Sequence, residues 1–114
     1  MKCKEIVDRL RTRFKASDLP VAYHHFNKPP KIPFVVYLVA DAQRRGADAF
    51  NLLEERAYRI ELYTDCKNED LENSIAELFD DHELSIDEVY IEDQQLYMVS
   101  FEFDETFKLN AGGK

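Results

Sequence analysis

The sequence predicts an α+β fold in which two helices pack against one mostly antiparallel sheet, in the order α-β-β-β-α-β-β. Residues 58–65 and 96–103 each alternate apolar with polar side chains, which is typical of half-buried strands. One amphipathic helical segment lies between these two runs, and no catalytic constellation accompanies any of the three. This combination predicts a small assembly module rather than an enzyme.

The N-terminal third predicts a helix, a weak strand and a covered strand. Residues 2–14 carry one apolar stripe at helical spacing. Pro20 disfavours helical geometry in the residue before it and so ends this segment, and residues 21–26 follow as a weak strand. The prolines of residues 27–33 lack ladder donors, which predicts a stiff connector. Residues 34–39 are apolar throughout, so we expect a strand that is covered on both faces.

The middle of the chain predicts an exposed loop followed by a long strand. Residues 40–50 hold several charged side chains and Gly46, which indicates a long, exposed hairpin loop, and such loops are usually functional or disordered. Residues 52–64 predict a strand whose two faces differ in polarity. One face carries Tyr58, Ile60 and Leu62, and the other carries Arg59, Glu61 and Tyr63.

The C-terminal half predicts a second helix and a hairpin. Asn68 is a good N-cap for a helix that runs to His82. This helix buries a stripe formed by Leu71, Ile75, Leu78, Phe79 and His82. Two strands at residues 86–91 and 96–103 are joined by a turn. We expect one domain over residues 1–107 and a disordered tail over residues 108–114.

Composition limits the classes of partner. Asp and Glu total 23 against 15 Lys and Arg, so the formal net charge is −8. This charge disfavours direct binding of nucleic acid or anionic membrane, because phosphate recognition needs a basic surface. No apolar run approaches the ~20 residues that cross a bilayer, and the N-terminus lacks the apolar core of a signal peptide. We therefore expect a cytoplasmic protein.

Side chains suited to catalysis or metal binding lack the spacing that such sites need. His24 and His25 are neighbours on a predicted strand, so they point to opposite faces and are poorly placed to share a metal ion. Cys66 precedes a helix N-terminus without an accompanying base, and Cys3 lies on the apolar helical stripe. We expect both cysteines to be reduced thiols. The sequence predicts no catalytic, cofactor or metal site. A small enzyme that uses Cys66 or the histidine pair is an alternative hypothesis.

Aromatic and basic side chains indicate a protein–protein interface instead. Two helices cover only one face of a sheet, and tyrosine is enriched at protein interfaces. Three tyrosines are predicted on the uncovered face, and two arginines are predicted on the exposed loop, where they suit an acidic neighbour such as the surface of the second helix. The candidate interface residues are Tyr37, Tyr63 and Tyr97 on the face and Arg44, Arg45 and Phe50 on the loop.

Five segments together resemble a known family of small phage proteins. They are LPVAYHHF (residues 19–26), PPKIPFVVY (29–37), YRIELYT (58–64), YIE (90–92) and LYMVSFE (96–102). The series is similar to the tail terminator, or tail completion, proteins that are encoded in the head–tail joining region of long-tailed phages and prophages. The similarity covers residues 6–103 and rests on the amino-acid sequences of these segments and their order along the chain rather than on a catalytic motif.

The resemblance implies a structural protein of the virion with no catalytic residues and no cofactor. Such a subunit forms a ring, commonly a hexamer, that caps the finished tail tube and docks it to the head connector. Its partners are then copies of itself, the tail-tube protein and the connector, and it is found in the host cytoplasm during assembly and later in the virion neck. Two alternatives remain open: a head-closure or adaptor protein of the neck, and a monomeric module that recognises a peptide by strand addition.

Overall fold

A computed structural model describes residues 2–46 and 52–109, and it confirms the α+β class. The helices and strands follow the order α-β-β-β-α-β-β along the chain. Their bounds are α1 Cys3–Arg13, β1 Val21–Tyr23, β2 Phe34–Gly46, β3 Leu52–Thr64, α2 Glu69–Leu78, β4 Ser85–Ile91 and β5 Leu96–Leu109.

One five-stranded sheet runs in the order β1-β2-β3-β5-β4. Its β2–β3, β3–β5 and β5–β4 pairs are antiparallel, whereas β1 and β2 are parallel. The sheet is therefore mixed, and the prediction of a mostly antiparallel sheet holds only in part. The physical reason is the connector of residues 24–33, which returns the chain to the start of β2 so that β2 runs in the same direction as β1.

The core lies between the two helices and one face of the sheet. Helix α1 buries Ile6 and Leu10, and α2 buries Ile75. These side chains meet a set of fully buried strand residues that consists of Val35, Tyr58, Ile60, Leu62, Val99, Phe101 and Phe103. Because each large apolar side chain contributes about 1.5–3 kcal/mol when it is fully buried, this layer supplies most of the stabilisation of the fold.

Arg9 joins the two helices at the end of α2. Its guanidinium donates two hydrogen bonds of 2.9 Å to the carboxylate of Asp81 and one of 2.8 Å to the carbonyl oxygen of Leu78. The carbonyl of Leu78 is in the last turn of α2, where carbonyl oxygens have no backbone N–H donor within the helix. The hydrogen bond from Arg9 holds the pKa of Asp81 well below its usual range. Arg9 therefore serves as a cap for α2 that is supplied by another element.

Helix α2 is shorter than predicted, because it ends at Leu78 rather than at His82. The last turn of α2 contains no basic residue, and acidic side chains follow it directly, an arrangement that the helix dipole disfavours. His82 nevertheless reaches the sheet from the turn after the helix. Its ring nitrogens lie 3.0 Å from Asp81 Oδ1 and 2.7 Å from Glu105 Oε1, and its ring centroid is 4.6 Å from that of Phe103.

The predicted loop at residues 40–50 is wrong for its first half, because β2 continues to Gly46. A bulge between Val39 and Asp41 shifts the register, after which residues 41–46 pair with residues 52–57. Strand β5 pairs along the other side of β3 through Leu109, so the first two residues of the predicted tail belong to a strand. We call residues 41–46, 52–57 and 104–109 the arm. Phe50 and the rest of the predicted loop and tail lie outside the described residues.

Candidate functional site

The register of the strands decides which side chains face the helices. In an antiparallel pair, residues opposite each other lie on the same face of the sheet. Tyr37 pairs with Ile60, whose side chain is fully buried, and its neighbours Val35 and Val39 also pair with core residues of β3. Tyr37 therefore lies on the helix face. The prediction that it lies on the uncovered face is wrong, because a strand that is apolar on both faces gives no signal of side.

Tyr97 is also on the helix face, contrary to prediction. It pairs with the buried Thr64, two residues before Val99 in the alternation that forms the core. Tyr97 packs against Tyr90 of the edge strand, with ring centroids 4.9 Å apart. Tyr37 likewise packs against Tyr23, at 5.2 Å, and burial raises the pKa of Tyr37. These two tyrosines thus extend the core toward the two edges of the sheet.

Tyr63 lies on the face away from the helices, which we call the open face, as the sequence predicts. Its ring stacks on Phe34 with centroids 4.9 Å apart, and its hydroxyl donates a 2.8 Å hydrogen bond to Glu61. Burial, with the hydrogen bond to Glu61, raises the pKa of Tyr63 to about 12. Tyr63 is half-buried because other parts of the chain cover it, so only part of its ring is free to meet a partner.

The cover over Tyr63 is the proline-rich connector, which borders a solvent-open apolar cavity of about 310 Å³ on the open face. Sequence analysis missed this cavity, although the aromatic residues Phe26 and Phe34 on either side of the prolines were a usable signal. The chain enters the connector through a tight turn centred on His24, whose φ is 68° and whose neighbour His25 donates to the carbonyl of Tyr23. The lining side chains are His24, His25, Phe26, Pro29, Pro30, Ile32, Phe34, Val36, Tyr63, Gln94 and Leu96.

Arg44 and Arg45 lie on strand β2 of the arm and pair with acidic residues of the neighbouring strand β3. Arg44 Nε is 2.6 Å from Glu54 Oε1, and Arg56 contacts the other oxygen of the same carboxylate. Arg45 contacts Glu55. The predicted exposed loop tip is therefore wrong for these two arginines, because strand pairing brings carboxylates of the same chain against them.

Glu54 is the centre of the arm. Its side chain is 7% exposed, although this part of the sheet has no helix above it. Hydrogen bonds from Arg44 and Arg56 lower its pKa, so the carboxylate stays ionised near neutral pH. Arg56 also covers the ring of Phe107 at 5.0 Å and donates to the hydroxyl of Tyr58 at 3.2 Å. A charged and aromatic cluster thus holds the three strands together.

The two edges of the sheet differ in length and exposure. The β1 edge is three residues long, and Tyr23 there is 46% exposed. The β4 edge is seven residues long, and Ile86, Val89 and Tyr90 are 56%, 44% and 47% exposed. A strand edge that carries exposed apolar side chains is a common site for pairing with another chain.

The side chains considered for chemistry do not form a site in the described part of the chain. The rings of His24 and His25 meet edge to face at 5.6 Å on the surface, Cys3 is half-buried against the core, and Cys66 is exposed. Among residues 2–46 and 52–109, no group of three or more His, Cys, Asp or Glu side chains is placed to hold a metal ion. No helix within those ranges is long and apolar enough to span a bilayer.

Comparison with protein-family models and with curated proteins finds no match for this chain.

Proposed function

We propose that this protein is a structural subunit of a ring that ends the tail tube of a long-tailed phage and joins it to the head connector, with no catalytic role. The resemblance of residues 6–103 to tail terminator proteins supports this proposal. The observation that carries it is the pair of unlike free edges, which leaves the subunit open to a different neighbour on each side.

Unlike edges favour a ring over a symmetric pair. A contact in which one patch meets a different patch on the next copy is heterologous, and it closes into a ring when the rotation per subunit permits. The exposed apolar side chains of β4 give such a contact a hydrophobic centre. Tyr37 and Tyr97 support the contact from within, because they brace Tyr23 and Tyr90 at the two edges.

The arm suits contact with a protein outside the ring. The subunit measures 50 × 28 × 28 Å, and the arm continues the sheet beyond the part that the helices cover. The arginines of the arm, Arg44 and Arg45, are 63% and 69% exposed even though they pair within the subunit. We assign the contact with the tail tube or connector to the arm.

A monomeric module that binds a peptide by strand addition is the second candidate. The free β4 edge favours it, because main-chain groups of an edge strand can pair with an extended peptide. Such a module needs only one open edge and has no use for a second surface that recognises its own copies. The two candidates therefore differ in whether the subunits assemble.

Electron microscopy of tail tubes tests the proposal directly. Purified protein is mixed with the tail-tube protein of the same phage genome, and we expect a ring at one end of each tube. The variant Val89→Lys serves as the control, because it keeps the core intact and places charge at the β4 edge. Binding to the head connector alone would assign the protein to the adaptors, and binding to neither partner would contradict the proposal.

A further inference from the structure

Charge is unevenly distributed along the chain. Residues 2–33 contain eight Lys and Arg against three Asp and Glu, although the protein as a whole carries a net charge of −8. Residues 65–95 contain one Lys or Arg against twelve Asp and Glu. The basic segment includes α1, β1 and the connector, and the acidic segment includes α2 and β4.

The edge strands of these two segments lie at opposite edges of the sheet, whereas the connector and the turn at residues 92–95 meet at the cavity of the open face, which both Ile32 and Gln94 line. Strands β1 and β4 are the two edges of the sheet, with β2, β3 and β5 between them. Helix α1 contacts β1 and β2, whereas Phe79 at the end of α2 stacks on Phe103 of β5 at 5.5 Å. We call residues 2–23, which include α1 and β1, the basic side, and residues 69–91, which include α2 and β4, the acidic side.

Ion pairs within the subunit use only part of this charge. Arg9 pairs with Asp81 between the helices, and Lys67 lies 2.8 Å from Glu72 and 2.5 Å from Glu88. Within the two described ranges, two groups of exposed charges take part in no such pair. They include Arg11 and Lys15 on the basic side, and Glu83 and Asp87 on the acidic side.

Exposed apolar residues are concentrated on the same two sides. Of the six large apolar side chains that are exposed in the described part of the chain, four belong to them, whereas Ile32 lies in the connector and Leu53 in the arm. Tyr23 lies on the basic side, and the acidic side carries Ile86, Val89 and Tyr90. Each side thus combines an apolar centre with charges of one dominant sign, which is the usual composition of a specific interface.

We infer that the acidic side of one copy docks on the basic side of the next, so that identical subunits join head to tail. This inference rests on the proposed ring and names the surfaces that meet in it. Charges in contact act over a few ångströms, whereas the distant net charges are screened beyond about 10 Å at 0.1 M salt. The contact is therefore attractive even though both copies are acidic overall.

Pairing of two β4 edges with each other is disfavoured by the same charges. A two-fold antiparallel pairing centred on the middle of β4 sets Glu88 against its own copy, with Asp87 close by on both strands. Like charges directly opposite each other destabilise a strand pair. The basic side is the complementary surface that remains on this subunit.

Charge reversal on each side tests the inference in the full-length protein. Lys15→Glu weakens the basic side and Asp87→Lys weakens the acidic side, so each variant alone should self-associate about tenfold more weakly than the unchanged protein near 0.1 M salt. An equimolar mixture of the two should restore assembly, because the two variants can alternate. The combined variant Lys15→Glu/Asp87→Lys should also assemble alone. Sedimentation velocity reports all four results.

Matched substitutions on the arm separate the effect of charge at the proposed contact from the effect of the net charge of the protein. Lys108→Glu and Asp41→Lys alter the net charge by the same amounts as the two test variants, and both positions are exposed strand residues. We expect these controls to assemble like the unchanged protein. Equal weakening in the controls, no recovery in the mixture, or an unchanged protein that stays monomeric would each overturn the inference. Rings that assemble through these sides but never cap a tube would instead overturn the proposed function alone.

Discussion

The body and the arm of the same sheet are held together in different ways. In the body, which lies beneath the helices, Tyr58, Ile60 and Phe101 on adjacent strands are fully buried. In the arm, the side chains of residues 41–46 are exposed, and the strands are joined by Glu54 with its two arginines and by Arg56 over Phe107. Burial of core side chains therefore holds the body together, whereas cross-strand pairs extend the same strands beyond it.

The largest expected effect comes from opening a cavity in the body. Phe101→Ala should lower the free energy of unfolding by about 3–5 kcal/mol, because the side chain is fully buried on a central strand. Phe107→Ala is the matched change in the arm, where the ring is only half-buried, and we expect a smaller loss. Urea denaturation measures both, and equal losses would contradict the division into body and arm.

The second effect is confined to the arm. Glu54→Ala leaves Arg44 and Arg56 without their shared carboxylate, so amide exchange in residues 41–46 should become faster on the order of tenfold. Exchange in the body around Ile60 should stay unchanged. If the amides of the body accelerate equally, then the arm and the body unfold as one unit and the comparison fails.

Acid should loosen the arm for the same reason. The pKa of Glu54 is lower in the folded protein than its unfolded value, so the carboxylate contributes stability that is fully present above the unfolded pKa. That contribution is lost as the pH falls from about 4.3, the ordinary value for Glu, through the folded pKa. Chemical shifts of the arm amides report the transition, and Glu54→Gln should remove it.

The smallest effect concerns the exposed pair at Arg45. Arg45→Glu places like charges together and should weaken the arm by about 0.2–1 kcal/mol, whereas the swap Arg45→Glu/Glu55→Arg should recover most of the loss. Amide exchange of the arm measures both variants. No recovery in the swap would show that this pair contributes nothing to the arm.

The sequence predicted the body well, because alternation there is enforced by burial. Tyr58, Ile60 and Leu62 lie on the helix face as expected, with Arg59, Glu61 and Tyr63 opposite. The same alternation, continued back from Val99, places Tyr97 on the helix face, so that error was avoidable. The face on which Tyr37 lies was harder to predict, because residues 34–39 are apolar on both faces and the cover of the open face by the connector was not predicted.

The arm was missed for a physical reason. Residues 41–46 contain charged and small side chains with no apolar alternation, and their strand pairing is stabilised by partners on β3 that are about ten residues away. A single sequence gives no signal for such pairs until the register is known. The end of α2 was misplaced for a related reason, since Phe79 and His82 reach the core from a turn and so imitate a longer helical stripe.

The mass of the purified protein in solution, measured by light scattering over a concentration series, tests the central claim most directly. Head-to-tail docking of the acidic and basic sides predicts a discrete closed assembly, with six copies of the 13.4 kDa subunit as the expected number. A mass that stays at one subunit up to the highest concentration would contradict the account.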